Sequence, residues 1–438
     1  MGDPSFQSIP ANPFIAPVPA DFLWGVATAA YQVEGHTSGN DWARFETIPG
    51  MIKGGARCGA AADHWNRVSE DVELIQALGA NALRFSIEWS RLEPAPGHWD
   101  QRAWDHYADE IAQLRAVGIE PMVTLLHFTL PGWLAERCGL AAEEFPQRLE
   151  VFAAEAGRRL GAGVRFWCTL NEPNVQMFYG YVNGQWPPGL RDKALAVRAF
   201  AGLLRGHALA ARALRAACPG AQIGAAMHLV VAEPLRRWWP LDRLATRLLE
   251  TGFNWAFYDS IQRGALQLRL PGFPVLNEAM AELAGSADFV GVNFYRRHLV
   301  RFAPEAPTMV ELRSGPGPLS DAGVEIHPQG LLTILRQVWN RYQLPVMITE
   351  NGVADAAGRL RGPYLRSHAY AMAWAMAEGI PVKGYFHWSL LDNFEWTDGY
   401  TLRFGLYGVD FATQERRWGP GAEEFRRLAA LLAAQRQN

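Results

Sequence analysis

Short runs rich in apolar and β-branched residues alternate along the chain with longer stretches in which apolar positions recur at helical spacing. The short runs cover 22–27, 82–89, 120–128, 164–170, 222–229, 288–295, 345–349 and 382–390. Amphipathic stretches lie between them at 61–78, 101–117, 144–159, 193–217, 255–264, 328–342 and 365–378. The first kind predicts strands and the second helices. Eight strands separated by helices predict an α/β protein folded as a single (β/α)8 (TIM) barrel with elaborated loops after the strands. A length of 438 residues would also accommodate two or three average domains. No Gly/Ser linker, charge block or low-complexity stretch divides the chain, so 1–438 reads as one barrel domain with a proline-rich N-terminal extension at 1–20.

The strand runs end in polar or aromatic residues. After Arg84 come Glu88 and Trp89, and later runs bring His127, Asn171 with Glu172, His228, Asn293 with Tyr295, Glu350 with Asn351, and His387 with Trp388. The carboxyl ends of barrel strands surround one mouth, so these side chains are expected to face one pocket. A single polar strand end also suits an ordinary solvated loop, but recurrence on so many strands favours the shared pocket.

Two of these ends carry glutamates at strand-to-turn junctions, Glu172 before Pro173 and Glu350 two residues before Gly352. Across a barrel mouth such a pair can cleave a glycosidic bond: one carboxyl protonates the leaving oxygen while the other attacks the anomeric carbon or activates water. The pair could instead hold a divalent metal. That reading calls for further carboxylates or histidines at the same end, where amides, Arg and aromatics stand, so no metal or other cofactor is expected.

The segments Phe22-Leu23-Trp24-Gly25 through Gly35, Arg84-Phe85-Ser86-Ile87-Glu88-Trp89, Thr169-Leu170-Asn171-Glu172-Pro173, Asn293-Phe294-Tyr295, Ile348 to Gly352 and Trp388 to Trp396 resemble the signature segments of glycoside hydrolase family 1, in family order and over nearly the whole chain. The resemblance implies a retaining exo-β-glycosidase, most simply a β-glucosidase with side activity on β-galactosides and β-fucosides. It makes Glu172 the acid/base and Glu350 the nucleophile, with Arg84 and Tyr295 favouring the nucleophile's anion and Asn171 holding the sugar 2-hydroxyl. It further implies that Gln32, His127, Asn293, Glu395, Trp396 and Phe404 bind the sugar and that Trp388 forms its stacking floor. Hydroxyls need forked donors and acceptors, and a pyranose C–H face suits an aromatic plane. Glu395 would repel a phosphate, which favours an unphosphorylated sugar. A transglycosylase on the same scaffold and a catalytically silent sugar-binding protein are the alternatives, and silent relatives usually lack one of the two glutamates.

Several positions depart from the family pattern. Phe128 stands where Trp is common, and Asn174 and Val324 replace leaving-group-side tryptophans, so altered aglycone preference is expected. Gln185-Trp186-Pro187-Pro188-Gly189 is likewise unusual, and His228 replaces a usual Asn with no evident reason in the sequence.

Composition narrows the partners. Hydrophobic residues at 49 % exclude a disordered chain, and 41 Lys+Arg against 44 Asp+Glu, net −3, argues against nucleic acid and anionic membranes. The expected partner is a small β-glycoside or oligosaccharide. Cys58, Cys138, Cys168 and Cys218 lie far apart and are expected to be buried thiols in a reducing compartment. The N-terminus lacks signal-peptide features, and no run of roughly 18 consecutive apolar residues occurs, so a cytoplasmic location is expected. Seventeen tryptophans are either core filler or ligand platforms, and composition does not choose.

Overall fold

A computed structural model describes residues 5–306 and 308–436; the first four positions of the N-terminal extension and the last two of the chain lie outside the described residues. Eight parallel strands close into a barrel: β1 (Leu23–Ala27), β2 (Ala82–Ser86), β3 (Glu120–Leu126), β4 (Phe166–Asn171), β5 (Gln222–His228), β6 (Phe289–Asn293), β7 (Val346–Asn351) and β8 (Val382–Trp388). Neighbours follow chain order, and β1 closes on β8 with Ala27 opposite Trp388. All eight fall on predicted runs. β4 and β7 extend through Asn171 and Asn351, which brings the two glutamates onto or directly beside strand ends.

Alternation along the strands sorts side chains into two layers. Leu23, Met122, Phe166, Phe289, Met347 and Phe386 fill the barrel interior, whereas Trp24, Val26, Val123, Trp167 and Ile348 belong to the separate core between barrel and helices. Gly25 leaves the interior space that Phe386 takes; a Cβ there would approach that ring to 2.8 Å.

The helices include α1 (Val68–Ala77), α2 (Gln101–Ala116), α3 (Phe145–Leu160), α4 (Lys193–Ala217), α5 (Ala256–Arg263), α6 (Pro328–Tyr342), α7 (Arg361–Ala377) and α8 (Ala422–Arg436). Asp100 and Asp192 cap α2 and α4 by accepting backbone N–H bonds. The stretch predicted from 61 makes one 3-10 turn at His64–Asn66 and becomes α-helical only at Val68, because Ala61 and Asp63 adopt left-handed backbone. α8 was not among the predicted stretches. The helix α4 is long and apolar enough to cross a membrane, yet 72 % of its apolar window is buried, and it packs on α3 as a core helix. Cys58, Cys168 and Cys218 are buried, but Cys138 is exposed, contrary to expectation, because it sits in the irregular turn after the short helix Gly132–Ala135.

Elaboration concentrates after β5 and β6. The strand Val231–Pro234 pairs with Arg297–Phe302, which pairs with Val310–Arg313, and the helix Pro240–Leu249 packs on this small sheet.

Candidate active site

Glu350 lies on β7 and Glu172 directly follows β4, and both line one cavity of about 810 Å³. Glu172 takes left-handed backbone with φ 42°, which costs a non-glycine residue roughly 1–2 kcal/mol. Pro173 starts the following helix, and the Glu172 amide is tied to the Ala226 carbonyl of β5 at 2.7 Å, so surrounding structure holds the turn.

One buried network joins the two carboxyls. Arg84 donates to Glu350 Oε1 at 2.5 Å and to Asn171 Oδ1 at 2.7 Å. Asn293 Nδ2 donates to Asn171 Oδ1 at 3.1 Å and to Glu172 Oε1 at 2.9 Å. Tyr295 Oη donates to Glu350 Oε2 at 2.7 Å, and His228 Nδ1 lies 3.0 Å from Glu172 Oε1. Thr349 Oγ1 donates to Asn293 Oδ1 at 2.6 Å, fixing that amide's orientation. Arg84 and Asn293 therefore lie beneath the cavity rather than in its wall, and both Asn293 donors are engaged by protein groups.

The remaining predicted site residues converge on the wall. Gln32, His127, Asn171, Tyr295, Trp388, Glu395, Trp396 and Phe404 all line the cavity. Gln32 Nε2 is held by Asn393 and the Phe394 carbonyl, while its Oε1 has no protein partner. His127 Nε2 accepts from Asn171 at 3.0 Å, which leaves Nδ1 as a donor with no protein partner. Trp388 Nε1 donates to Glu395 Oε1 at 3.1 Å, and the Trp396 ring stacks on Tyr31 with centroids 6.0 Å apart. Phe404 packs edge-on against Tyr295. Phe128 also lines the wall and packs against Trp186.

Beyond Arg84 and Asn293, the expectation of one mouth for every strand-end residue is corrected at four further positions. Glu88 accepts from Ser90 and Thr129, Trp89 stacks on Phe152, Asn351 bonds Tyr364 and Tyr385, and His387 packs near Phe425, all away from the cavity wall. Strand pleating turns successive side chains to opposite sides, so adjacent strand-end residues cannot all face inward. Asn174 is also displaced from its expected place. It is buried, and its Nδ2 donates to the His228 and Phe253 carbonyls at 2.8 and 3.0 Å. Phe253, on the π-helical turn Glu250–Trp255, is a wall residue that no sequence signal singled out.

The proton balance runs opposite to the expectation. Burial pushes Glu350 up to about 7 against the charge of Arg84, with the Glu172 charge adding and the Tyr295 bond opposing. Burial also acts on Glu172, but the charge and hydrogen bond of His228, helped by Asn293 and Arg84, hold it below the usual carboxylate range. The two carboxyls are joined through Arg84 and the Asn171 and Asn293 amides, so Glu172 and Glu350 titrate as a pair.

A parallel eight-stranded barrel carrying two carboxyls linked through Arg and amides at its carboxyl-terminal mouth is an arrangement of glycoside-cleaving enzymes. The sequence profile of glycosyl hydrolase family 1 matches residues 15–428. The chain belongs to glycosyl hydrolase family 1 and is a glycoside hydrolase of that family. It is 39 % identical over 422 residues to β-glucosidase A of Thermotoga maritima, covering 91 % of this chain and 94 % of that one. It is 36 % identical over 421 residues to a 1,4-β-D-glucan glucohydrolase of Thermotoga neapolitana, covering 91 % and 99 %. The solved family 1 β-glucosidase of Thermotoga maritima superposes with a TM-score of 0.90 at 36 % identity, covering 95 % of this chain and 98 % of that one. That relative has also been solved with deoxynojirimycin, at a TM-score of 0.89, 35 % identity and coverage of 95 % and 99 %.

Proposed function

We propose that the chain, acting as one catalytic barrel, is a retaining exo-β-glycosidase of β-glucosidase type with side activity on β-galactosides and β-fucosides. The observation that carries this reading is the single network in which Arg84 and Tyr295 grip Glu350 while His228 and Asn293 hold Glu172. The β-glucosidase relatives, one of them solved with a sugar-mimic inhibitor, support the glycone class.

The reacting form is the one in which the pair's proton sits on Glu172 and Glu350 is the anion; in it Glu350 attacks the anomeric carbon as Glu172 gives that proton to the leaving oxygen. Arg84 and Tyr295 each hold one oxygen of Glu350, which fixes the attacking lone pair and favours the anion. Once Glu350 is esterified its charge is gone, and Glu172 takes a proton from water, which releases the sugar with retained configuration. Gln32 Oε1, His127 Nδ1 and Glu395 meet the sugar hydroxyls over the Trp388 ring. Burial pushes Glu395 up to about 8, which lets its carboxyl serve as a donor as well as an acceptor.

Glu350→Ala is expected to lose at least about a thousandfold in kcat on 4-nitrophenyl β-D-glucoside, with azide restoring turnover as the α-glucosyl azide. Full activity in the variant, or an inverted first product by NMR in the parent enzyme, would overturn the assignment.

A further inference from the structure

The cavity continues beyond the sugar end, and its chemistry changes along the way. Gln32, His127, Asn171, Glu172, Glu350 and Glu395 make one end polar. The rest of the wall is largely hydrocarbon: Leu241, Leu244 and Leu248 of the helix Pro240–Leu249 line it together with Phe200 of α4, Phe273 and Leu312, with Arg296, His298 and Thr308 among its polar members.

That helix is turned the unusual way round. An amphipathic helix ordinarily packs its apolar stripe on the core and shows its polar face to water. Here Asp242 and Thr246 are buried, with Asp242 paired to Arg236 and accepting the Phe302 amide, while the i, i+3, i+7 leucines face the cavity. Leu241 remains 40 % exposed, Leu244 51 % and Leu312 41 %. An apolar stripe left open on a cavity that begins at a catalytic carboxyl is complementary to a hydrocarbon.

The passage between the two ends is also built for this. Asn174 pins the Phe253 carbonyl to that of His228, and the Phe253 ring meets His228 edge-on with centroids 6.0 Å apart. The residue standing where a leaving-group tryptophan was expected is thus a backbone tie, and Val324 does not line the cavity. Rings of Phe178, Tyr179, Trp186 and Phe253 also line the cavity, but Leu241, Leu244, Leu248, Leu270 and Leu312 offer a second sugar no hydroxyl partner.

We propose that this end is the aglycone site for a β-glycoside of an extended hydrocarbon, eight or more carbons long, a proposal that rests on the β-glucosidase reading. The glycosidic C–O bond breaks as Glu172 protonates the alkoxy oxygen, the long-chain alcohol departs along the apolar end, and water then frees the sugar from Glu350. A flexible alkyl chain and a fused-ring isoprenoid share this chemistry.

The test is kcat/KM for n-alkyl β-D-glucosides from ethyl to decyl, below micelle-forming concentrations, beside cellobiose and 4-nitrophenyl β-D-glucoside. The value is expected to rise by up to about fourfold per methylene, the gain from burying one CH₂, and to pass that of cellobiose. Leu244→Glu, at a position exposed enough to tolerate the change, should flatten the slope and cost octyl glucoside about tenfold. Val151→Glu, on the outer face of α3, should leave the slope unaltered. A flat series with active 4-nitrophenyl glucoside hydrolysis, or faster cellobiose, overturns the hydrocarbon site while the β-glucosidase reading stands. Loss of all β-glucoside hydrolysis would sink that reading instead; calorimetric titration with 1-decanol then tests the apolar site directly, and absence of binding overturns it. A steryl glucoside set against decyl glucoside shows which hydrocarbon shape the wall takes, and a rate above cellobiose for either supports the proposal.

Discussion

His228 Nδ1 sits 3.0 Å from Glu172 Oε1, and its ring stacks on Tyr295, whose hydroxyl donates to Glu350. One imidazole therefore touches one carboxyl and packs on the residue that holds the other. Its charge is the largest cause drawing Glu172 downward against burial. The reacting form carries the pair's proton on Glu172, so the alkaline limb of the pH profile follows loss of that shared proton. Replacing His228 by Asn removes a partner that holds Glu172 down, so the alkaline limb of kcat/KM should move to higher pH. An alkaline limb that stays in place would show that His228 only shapes the pocket.

Elements of the barrel's outer layer are tied by a buried charge cluster that has no part in the cavity. His64, just before α1, bonds Asp71 of α1 at 2.7 Å and Glu110 of α2 at 3.2 Å, and Arg416 of the Glu415–Trp418 strand bonds Asp71 at 2.9 Å. Burial pulls the His64 pKa down, but hydrogen bonds and charge from Asp71 and Glu110 outweigh it and bring it up to about 10. A histidine raised in the folded state stabilises fully below its unfolded value of 6.5, and that contribution is lost as pH climbs through about 10. Thermal melts should show stability declining between those pH values, by an amount of the order of a few kcal/mol, with a flatter profile and a lower starting Tm in His64→Gln. A variant whose melts parallel the parent at every pH would refute this linkage. Asp71 serves both His64 and Arg416, so its loss would leave His64 with Glu110 alone and take the nearest carboxylate from buried Arg416.

At the scale of the fold, the seam where β1 meets β8 joins the first and last strands of the barrel. Trp24 of β1 stacks on Tyr385 of β8 with centroids 4.8 Å apart and on Phe425 of α8 at 5.0 Å, and Phe14 of the N-terminal extension meets Trp24 edge-on. Closure of the barrel is thus covered by both ends of the described chain. Phe425→Ala should lower the unfolding free energy by roughly 3–5 kcal/mol in urea titrations. A loss under about 1 kcal/mol would make α8 an accessory rather than a part of the closure. The same arrangement divides the aromatic excess: Trp24, Trp89 and Trp167 are buried in the core, whereas Trp388 and Trp396 stand at the cavity.

The strand runs and the two glutamates could be read along the chain because each is a local signal, a run of apolar residues with a turn at its end; the sugar-end wall residues were legible only through motifs that resemble those of the family, and the rest of the wall was not. The same local view found α4 and α6 but not α8, and it extended α1 through Ala61 and Asp63, whose left-handed backbone no periodicity reveals. It also left His228 without a role and placed Asn174 on the leaving-group side. Those roles come from partners far away in sequence: Arg84 meets Glu350 across 266 positions, His228 meets Glu172 across 56, and Asn174 meets Phe253 across 79. Periodicity sets which residues can be strand or helix, but the direction of a side chain and the group it meets depend on how barrel closure brings distant strand ends together. The inverted helix Pro240–Leu249 shows the difference best. Its leucine spacing is plain in the sequence, while only the packed molecule reveals that the stripe faces a cavity instead of a core.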